Sequence, residues 1–178
     1  MKRKILFNIL FINTYLSFNL YSQDVEFESS NIEVKDDGKI IFAFNSKTLI
    51  KSQNISIESN KVIYNKRNNT LVFYKNVSLK DLNKNLILTG NNISYDLNTN
   101  IIFGEGKTNF NIDNKYTINS KDVFYNKNTQ EIFSNEITKI EDQNNNFYNL
   151  EKYFKFDIVN ETILSERSNN LDNKNNKY

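Results

Sequence analysis

The chain has 178 residues, 23 of them basic and 21 acidic, for a net charge of +2. It contains no Cys, His, Pro or Trp, which excludes a disulfide framework, a thiolate centre and any histidine-based metal or proton-transfer site. Without Lys2, Arg3 and Lys4 the balance is 20 basic against 21 acidic, and no basic run of the kind a nucleic-acid binder shows is left.

Residues 1–22 read as a secretory signal. Lys2-Arg3-Lys4 is a charged leader, and the apolar stretch from Ile5 to Phe18 is interrupted by Asn8 and Asn13, short for a bilayer span of about 20 apolar residues. Leu20-Tyr21-Ser22 before Gln23 is the expected cleavage site, a retained N-terminal anchor being the alternative.

From Asp24 onward the pattern is that of short strands. Val25/Phe27 and Ile32/Val34 alternate with polar residues, and the same period-two spacing of apolar residues recurs at Ile55/Ile57 and Val62/Tyr64, Leu86/Leu88 and Ile93/Tyr95, and Tyr116/Ile118 and Val123/Tyr125. Period-two alternation of β-branched and aromatic residues marks half-buried strands. Asn/Asp/Gly clusters at Asp36-Asp37-Gly38, residues 65–69, 96–100 and 126–129 supply turns, because their side chains bond their own backbone and tolerate left-handed geometry. A third, more apolar strand follows each cluster: Ile40 to Phe44, Leu71-Val72-Phe73, Ile101-Ile102-Phe103 and Ile132-Phe133. Of its apolar columns, Phe42, Phe73, Phe103 and Phe133 is taken as interior; Ile41, Val72, Ile102 and Ile132 is the competing column.

These elements repeat. One column, Val34, Tyr64, Tyr95, Tyr125 and Phe156, steps by 30 or 31 residues, and a second, Phe42, Phe73, Phe103, Phe133 and Leu164, does the same. A fixed period over five units indicates stacked copies of one supersecondary unit. After Leu164 a polar segment, 165–178, echoes the approach to the fifth unit: Asp142 and Asp172, and Tyr148 and Tyr178, are each 30 apart. The echo is read as the start of a further unit in a longer protein. The 34 asparagines are read as codon bias rather than as a prion-like tract.

Catalytic signals are weak. The four glycines (38, 90, 104 and 106) form no phosphate loop, and no metal-ligand spacing exists. No catalytic residue, metal or cofactor is expected. The residues alone predict an all-β chain that is a sandwich, jellyroll, barrel or β-solenoid.

The segments Ile57 to Val77 and Leu88 to Gly104 resemble the repeat of the OstA family. The shared pattern is a strand, a polar step, an apolar-x-Tyr-Asp/Asn, a polar turn, an apolar strand and Gly-Asn-Val. The chain keeps Asn76-Val77 but has Lys75 where the family often has Gly, and it keeps Gly104 without the Asn. The resemblance implies an antiparallel β-jellyroll, a twisted open sandwich, over 23–164. It implies a periplasmic, outer-membrane-directed module that binds the lipid A acyl chains of lipopolysaccharide and stacks edge to edge with other jellyrolls of the transport bridge. The signal and the apparent truncation make the chain most similar to the N-terminal domain of LptD-type members, with their outer-membrane barrel and lipoprotein plug as partners. Soluble LptA-type members are second. The groove would be lined by Ile57, Tyr64, Phe73, Leu88, Tyr95, Phe103, Ile118, Tyr125 and Phe133. Two alternatives stand beside this reading. One is a parallel β-solenoid, adhesin or carbohydrate-active, and the other is a closed structural scaffold; strand direction separates the solenoid from the jellyroll.

Overall fold

The computed structural model describes residues 24–166 and 168–171; the signal segment and the echo at 172–178 lie outside the described residues. Fourteen strands form one sheet. In chain order they are β1 (Val25–Glu28), β2 (Asn31–Lys35), β3 (Ile40–Ile50), β4 (Ile55–Asn65), β5 (Thr70–Asp81), β6 (Leu86–Asp96), β7 (Ile101–Ile112) and β8 (Tyr116–Asn126). There follow β9 (Glu131–Ser134), β10 (Thr138–Asp142), β11 (Phe147–Leu150), β12 (Phe154–Asp157), β13 (Thr162–Ser165) and β14 (Ser168–Leu171). Every pairing is antiparallel. That removes the parallel solenoid.

The repeat unit is a hairpin of two long strands, not three short ones. The polar steps read as breaks, such as Glu58-Ser59-Asn60, lie inside continuous strands. There the ladder register shifts: between Glu58 and Lys61 in β4, between Tyr74 and Val77 in β5, and between Gly104 and Lys107 in β7. Left-handed residues sit on the same line, at Asn45 (φ 45°), Lys75 (61°), Asn76 (50°), Gly106 (71°) and Asp122 (47°). Such bulges bend a strand, and aligned across neighbours they fold the whole sheet along one crease. The short strands pair as broken versions of the same passes, β9 with β12 and β10 with β11.

The crease divides the sheet into two halves that face each other. In the tyrosine half one inner row runs Ile41, Tyr64, Leu71, Tyr95, Ile102, Tyr125, Ile132 and Phe156, each the cross-strand partner of the next. In the leucine half the row runs Thr48, Ile57, Leu79, Leu88, Phe110, Ile118 and Ile140. Aromatic pairs join the halves: Phe27 with Tyr64 at 6.2 Å between ring centroids, Phe110 with Tyr125 at 6.4 Å, and Tyr116 with Phe156 at 5.0 Å.

Asparagine has a structural role that composition hid. Each turn stacks on the turn of the next hairpin, about thirty residues on. Asn83 donates to the Gln53 carbonyl, Asn98 to that of Asn68 and Asn128 to that of Thr99, at 2.9–3.2 Å. Asn54–Asn83, Asn69–Asn98 and Asn100–Asn128 add side-chain bonds at 3.0–3.2 Å. Asn54, Asn69, Asn85 and Asn100 also close their turns at positive φ, a conformation that Asn tolerates better than most residues.

Candidate functional site

The interior between the two halves is the candidate site. Seven of the nine predicted lining residues are there: Ile57, Tyr64, Phe73, Leu88, Tyr95, Ile118 and Tyr125 are all buried.

Phe103 and Phe133 are not with them. The buried neighbours are Ile102 and Ile132, which turns Phe103 and Phe133 to the outer face. The phenylalanine column conceals a slip. The inner column runs Leu71, Ile102, Ile132 in phase with the tyrosines, so the step from Phe73 to Phe103 is one residue short of the inner period. A one-residue slip carries a side chain through the sheet. Outside, Phe103 packs at a tilt against Phe124 (4.6 Å), and Phe124 stacks on Phe133 (5.2 Å). They belong to a transverse outer row with Phe42, Ile63 and Val72.

Along the crease the interior is lined by buried hydroxyls. Thr108 donates to the Gly106 carbonyl (3.0 Å), Ser134 to that of Lys121 (2.7 Å) and Thr138 to that of Glu136 (3.0 Å). They bond carbonyls at the β7 bulge (Gly106) and beside the break between β9 and β10 (Lys121 and Glu136), as buried backbone requires. Gly104 fits here because a Cβ would stand 2.7 Å from Thr108 Oγ1.

Opposite the crease lies the mouth, where the turns of the two halves meet. Among the described residues no backbone hydrogen bond crosses it; side chains close it in three successive latches. The Tyr95 hydroxyl donates to Gln53 Oε1, and Gln53 Nε2 donates to Asn100 Oδ1 at 2.6 Å. Lys127 Nζ donates to Asp81 Oδ2 at 2.6 Å and the Tyr125 hydroxyl to the same oxygen at 3.3 Å. Lys115 Nζ donates to Glu161 Oε1 at 2.7 Å, and the Tyr116 hydroxyl to Oε2 at 3.3 Å. Gln53, Asp81 and Lys115 are at successive turns of the leucine half, so the latch itself repeats.

The latches differ in burial. Asp81 is 1% and Lys127 13% exposed, against 45% and 39% for Glu161 and Lys115. Burial, reinforced by the Asp81 charge, pushes the Tyr95 and Tyr125 hydroxyls well above the usual phenol range. Both stay neutral donors at any physiological pH. The Lys115 hydrogen bond holds Glu161 below the usual carboxylate range.

At the third latch the mouth widens into a cavity of about 390 Å³, lined by Leu82, Ile112, Tyr116, Gln130, Phe156 and Ile158 among others. Gln130 Oε1 is buried there with no hydrogen-bond partner. At the first edge, Ile32 and Val34 of β2 continue the inner rows yet are 47% and 59% exposed. The interior therefore ends on an open, apolar edge strand. No group of three or more acidic side chains among the described residues is placed to hold a metal.

The tyrosine–glutamine and aspartate–lysine latches carry no local sequence signal, since their members are 42 to 46 residues apart. Gln53, Asp81 and Lys115 are 28 and 34 residues apart, too uneven to mark the latches in the sequence as part of the repeat.

Comparison with known proteins agrees with this geometry. A crystal structure of LptH from Pseudomonas aeruginosa, described as the LptA-homologous periplasmic component of the lipopolysaccharide transport device, superposes with a TM-score of 0.58 at 12% identity. The match covers 69% of this chain and 97% of that one, and it establishes the jellyroll fold. No curated protein matches the sequence. A family model described as "Lipopolysaccharide-assembly, LptC-related" matches residues 14–133, and on that match the chain belongs to the LptC-related lipopolysaccharide-assembly family.

Proposed function

We propose that the chain is one jellyroll of a periplasmic lipopolysaccharide transport bridge, and that it takes the lipid A acyl chains between its two half-sheets. The observation that carries this is the mouth. A continuous apolar interior runs the length of the sheet, and only side chains hold it shut. Ile57, Tyr64, Phe73, Leu88, Tyr95, Ile118 and Tyr125 would line the path once the halves part; Phe103 and Phe133 would not.

The module catalyses nothing. It offers acyl chains an apolar surface while sugars and phosphates stay in water at the mouth, and the energy for movement comes from elsewhere in the bridge. Its exposed edge strand β2, with Ile32 and Val34, suits stacking with a second jellyroll, because an unpaired edge is a template for another strand. The relation to LptD-type members, with their barrel and plug, rests on the resemblance of the repeat and belongs to this proposal. So do export by residues 1–22 and delivery toward the outer membrane.

The filled interior favours one rival, a closed scaffold. The two are separated by photo-crosslinking to lipopolysaccharide in intact envelopes from probes at Phe73 and Leu88, with Phe124 and Lys66 as outward controls. Transport predicts labelling from the first pair alone. Cysteines at Asp81 and Lys127, joined by a short bifunctional linker, should abolish that labelling by locking the mouth. Absence of labelling from Phe73 and Leu88 in a folded, unlinked protein favours the scaffold.

A further inference from the structure

A second concavity lies outside the sandwich, on the outer face of the leucine half beside the crease. It has a volume of about 670 Å³. Its floor crosses four neighbouring strands through Ser78, Thr89, Asn109 and Asn119, each the cross-strand partner of the next, and Lys139 ends the row. Asn119 accepts a 2.8 Å hydrogen bond from Asn109. Lys107 and Lys121 stand at the crease side.

The charge distribution is unbalanced. No carboxylate lines the trough. Among the described residues Lys107, Lys121 and Lys139 make no ion pair, as about half of the other basic side chains also do not; what sets these three apart is that they border one trough. The nearby acids are engaged elsewhere: Asp122 accepts from the Gly106 N–H at 2.8 Å, and Glu105 from Asn92 at 3.2 Å. Moreover, Lys107 and Lys121 are directly opposed across β7 and β8, a like-charge pairing that destabilises a sheet. An anion between them would relieve that repulsion.

We infer that this trough binds an anionic saccharide, its phosphate or carboxylate groups on Lys107 and Lys121 and its hydroxyls on the amide and hydroxyl floor. Hydroxyl and amide side chains both donate and accept, matching sugar hydroxyls that do the same. Ile137, 68% exposed on the rim, offers apolar surface to a sugar ring. A peptide is a poorer fit, because β5, β6, β7 and β8 are paired on both sides and leave no edge for strand addition. The site does not depend on acyl chains entering the interior.

The test uses the full chain and soluble, acyl-free ligands, followed by calorimetry and by shifts of backbone amide resonances. One ligand is a phosphorylated oligosaccharide released from lipopolysaccharide by removal of its lipid. The other is a carboxylate-bearing cell-wall glycan fragment, so that the two arms identify the source of the saccharide. Binding of either, with shifts centred on Thr89, Asn109 and Asn119, is expected. Lys107→Gln with Lys121→Gln should weaken it by roughly tenfold or more, while raising or preserving the thermal midpoint. Lys66→Gln with Arg67→Gln, the same charge change at a distant turn, should leave it intact. Unchanged affinity in the trough variant, equal loss in the distant variant, or preference for an acidic peptide over both saccharides would overturn the assignment. The interior and the trough fail separately, since neither ligand carries an acyl chain.

Discussion

The two half-sheets share one interior but turn different faces to solvent. Outside the tyrosine half runs an aromatic row in which Phe103, Phe124 and Phe133 pack on one another. Outside the leucine half the corresponding row is Ser78, Thr89, Asn109 and Asn119 beside unpaired lysines. Both faces come from the same strands, a few residues apart. The inner face of a repeat is constrained by packing against its opposite half, whereas the outer face is free to diverge along a single strand. Burial therefore identifies the interior, and only the contrast between the outer faces indicates where a second surface has been built.

The largest test of the comparison sets the faces against each other. Phe73→Ala should lower stability by about 3–5 kcal/mol by leaving a cavity in a filled core, whereas Phe124→Ala, at a position already 36% exposed, should cost about 1 kcal/mol or less. Urea midpoints decide it, and equal losses would mean that the aromatic outer row is as packed as the interior.

Next comes the coupling of the halves. Lys127→Met leaves Asp81 buried at the mouth without its cation and should cost about 3–5 kcal/mol, most of it recovered when Asp81→Asn is added. Hydrogen exchange at the turns of both halves would show whether they loosen together.

A third prediction concerns alkali. Tyr95 and Tyr125 have folded-state pKa values raised above the ordinary 10.0. Their contribution is therefore complete below about pH 10 and is lost as pH rises further. Thermal midpoints should fall above pH 10, and Tyr95→Phe should flatten that alkaline slope while leaving the slope at acid pH alone.

The smallest effect is at the crease. Lys75 holds φ 61°, which costs an L-residue about 1–2 kcal/mol, and Gly avoids that strain at an entropic cost of its own. Lys75→Gly should raise stability by about 0.5–1 kcal/mol, measured by thermal melting. A loss would mean that the lysine stem packs against the crease.

Much of this fold is legible from alternation. Ile57, Tyr95 and Ile118 announce themselves because polar residues flank them on both sides, and Tyr64, Leu88 and Tyr125, each with one apolar neighbour, because they hold the same place in the repeat. Phe103 does not, since Ile101-Ile102-Phe103 offers three apolar residues in succession and no phase. The polar steps at the crease resemble turns because a bulge uses the same residue types as a loop, Asn and Gly among them. Lys75, where the resembled family often has Gly, holds a positive φ of 61° at the bend. The latches are invisible because a hydrogen bond across 42 to 46 residues leaves no local pattern, and the outer trough because lysines on a strand read as ordinary solvated surface until the register sets Lys107 opposite Lys121.

The stacked asparagine turns carry a consequence for how such a chain can change length. The asparagine amide of one turn donates to a backbone carbonyl in the turn of the preceding hairpin, about thirty residues back, so the bonding pattern is one of translation. A whole hairpin added or removed leaves every surviving turn with an equivalent neighbour. A single residue inserted within a strand has no such refuge, for it inverts every side chain beyond it up to the next bulge. The architecture therefore admits growth by duplication of units, with the crease bulges as the places where a one-residue error can be absorbed.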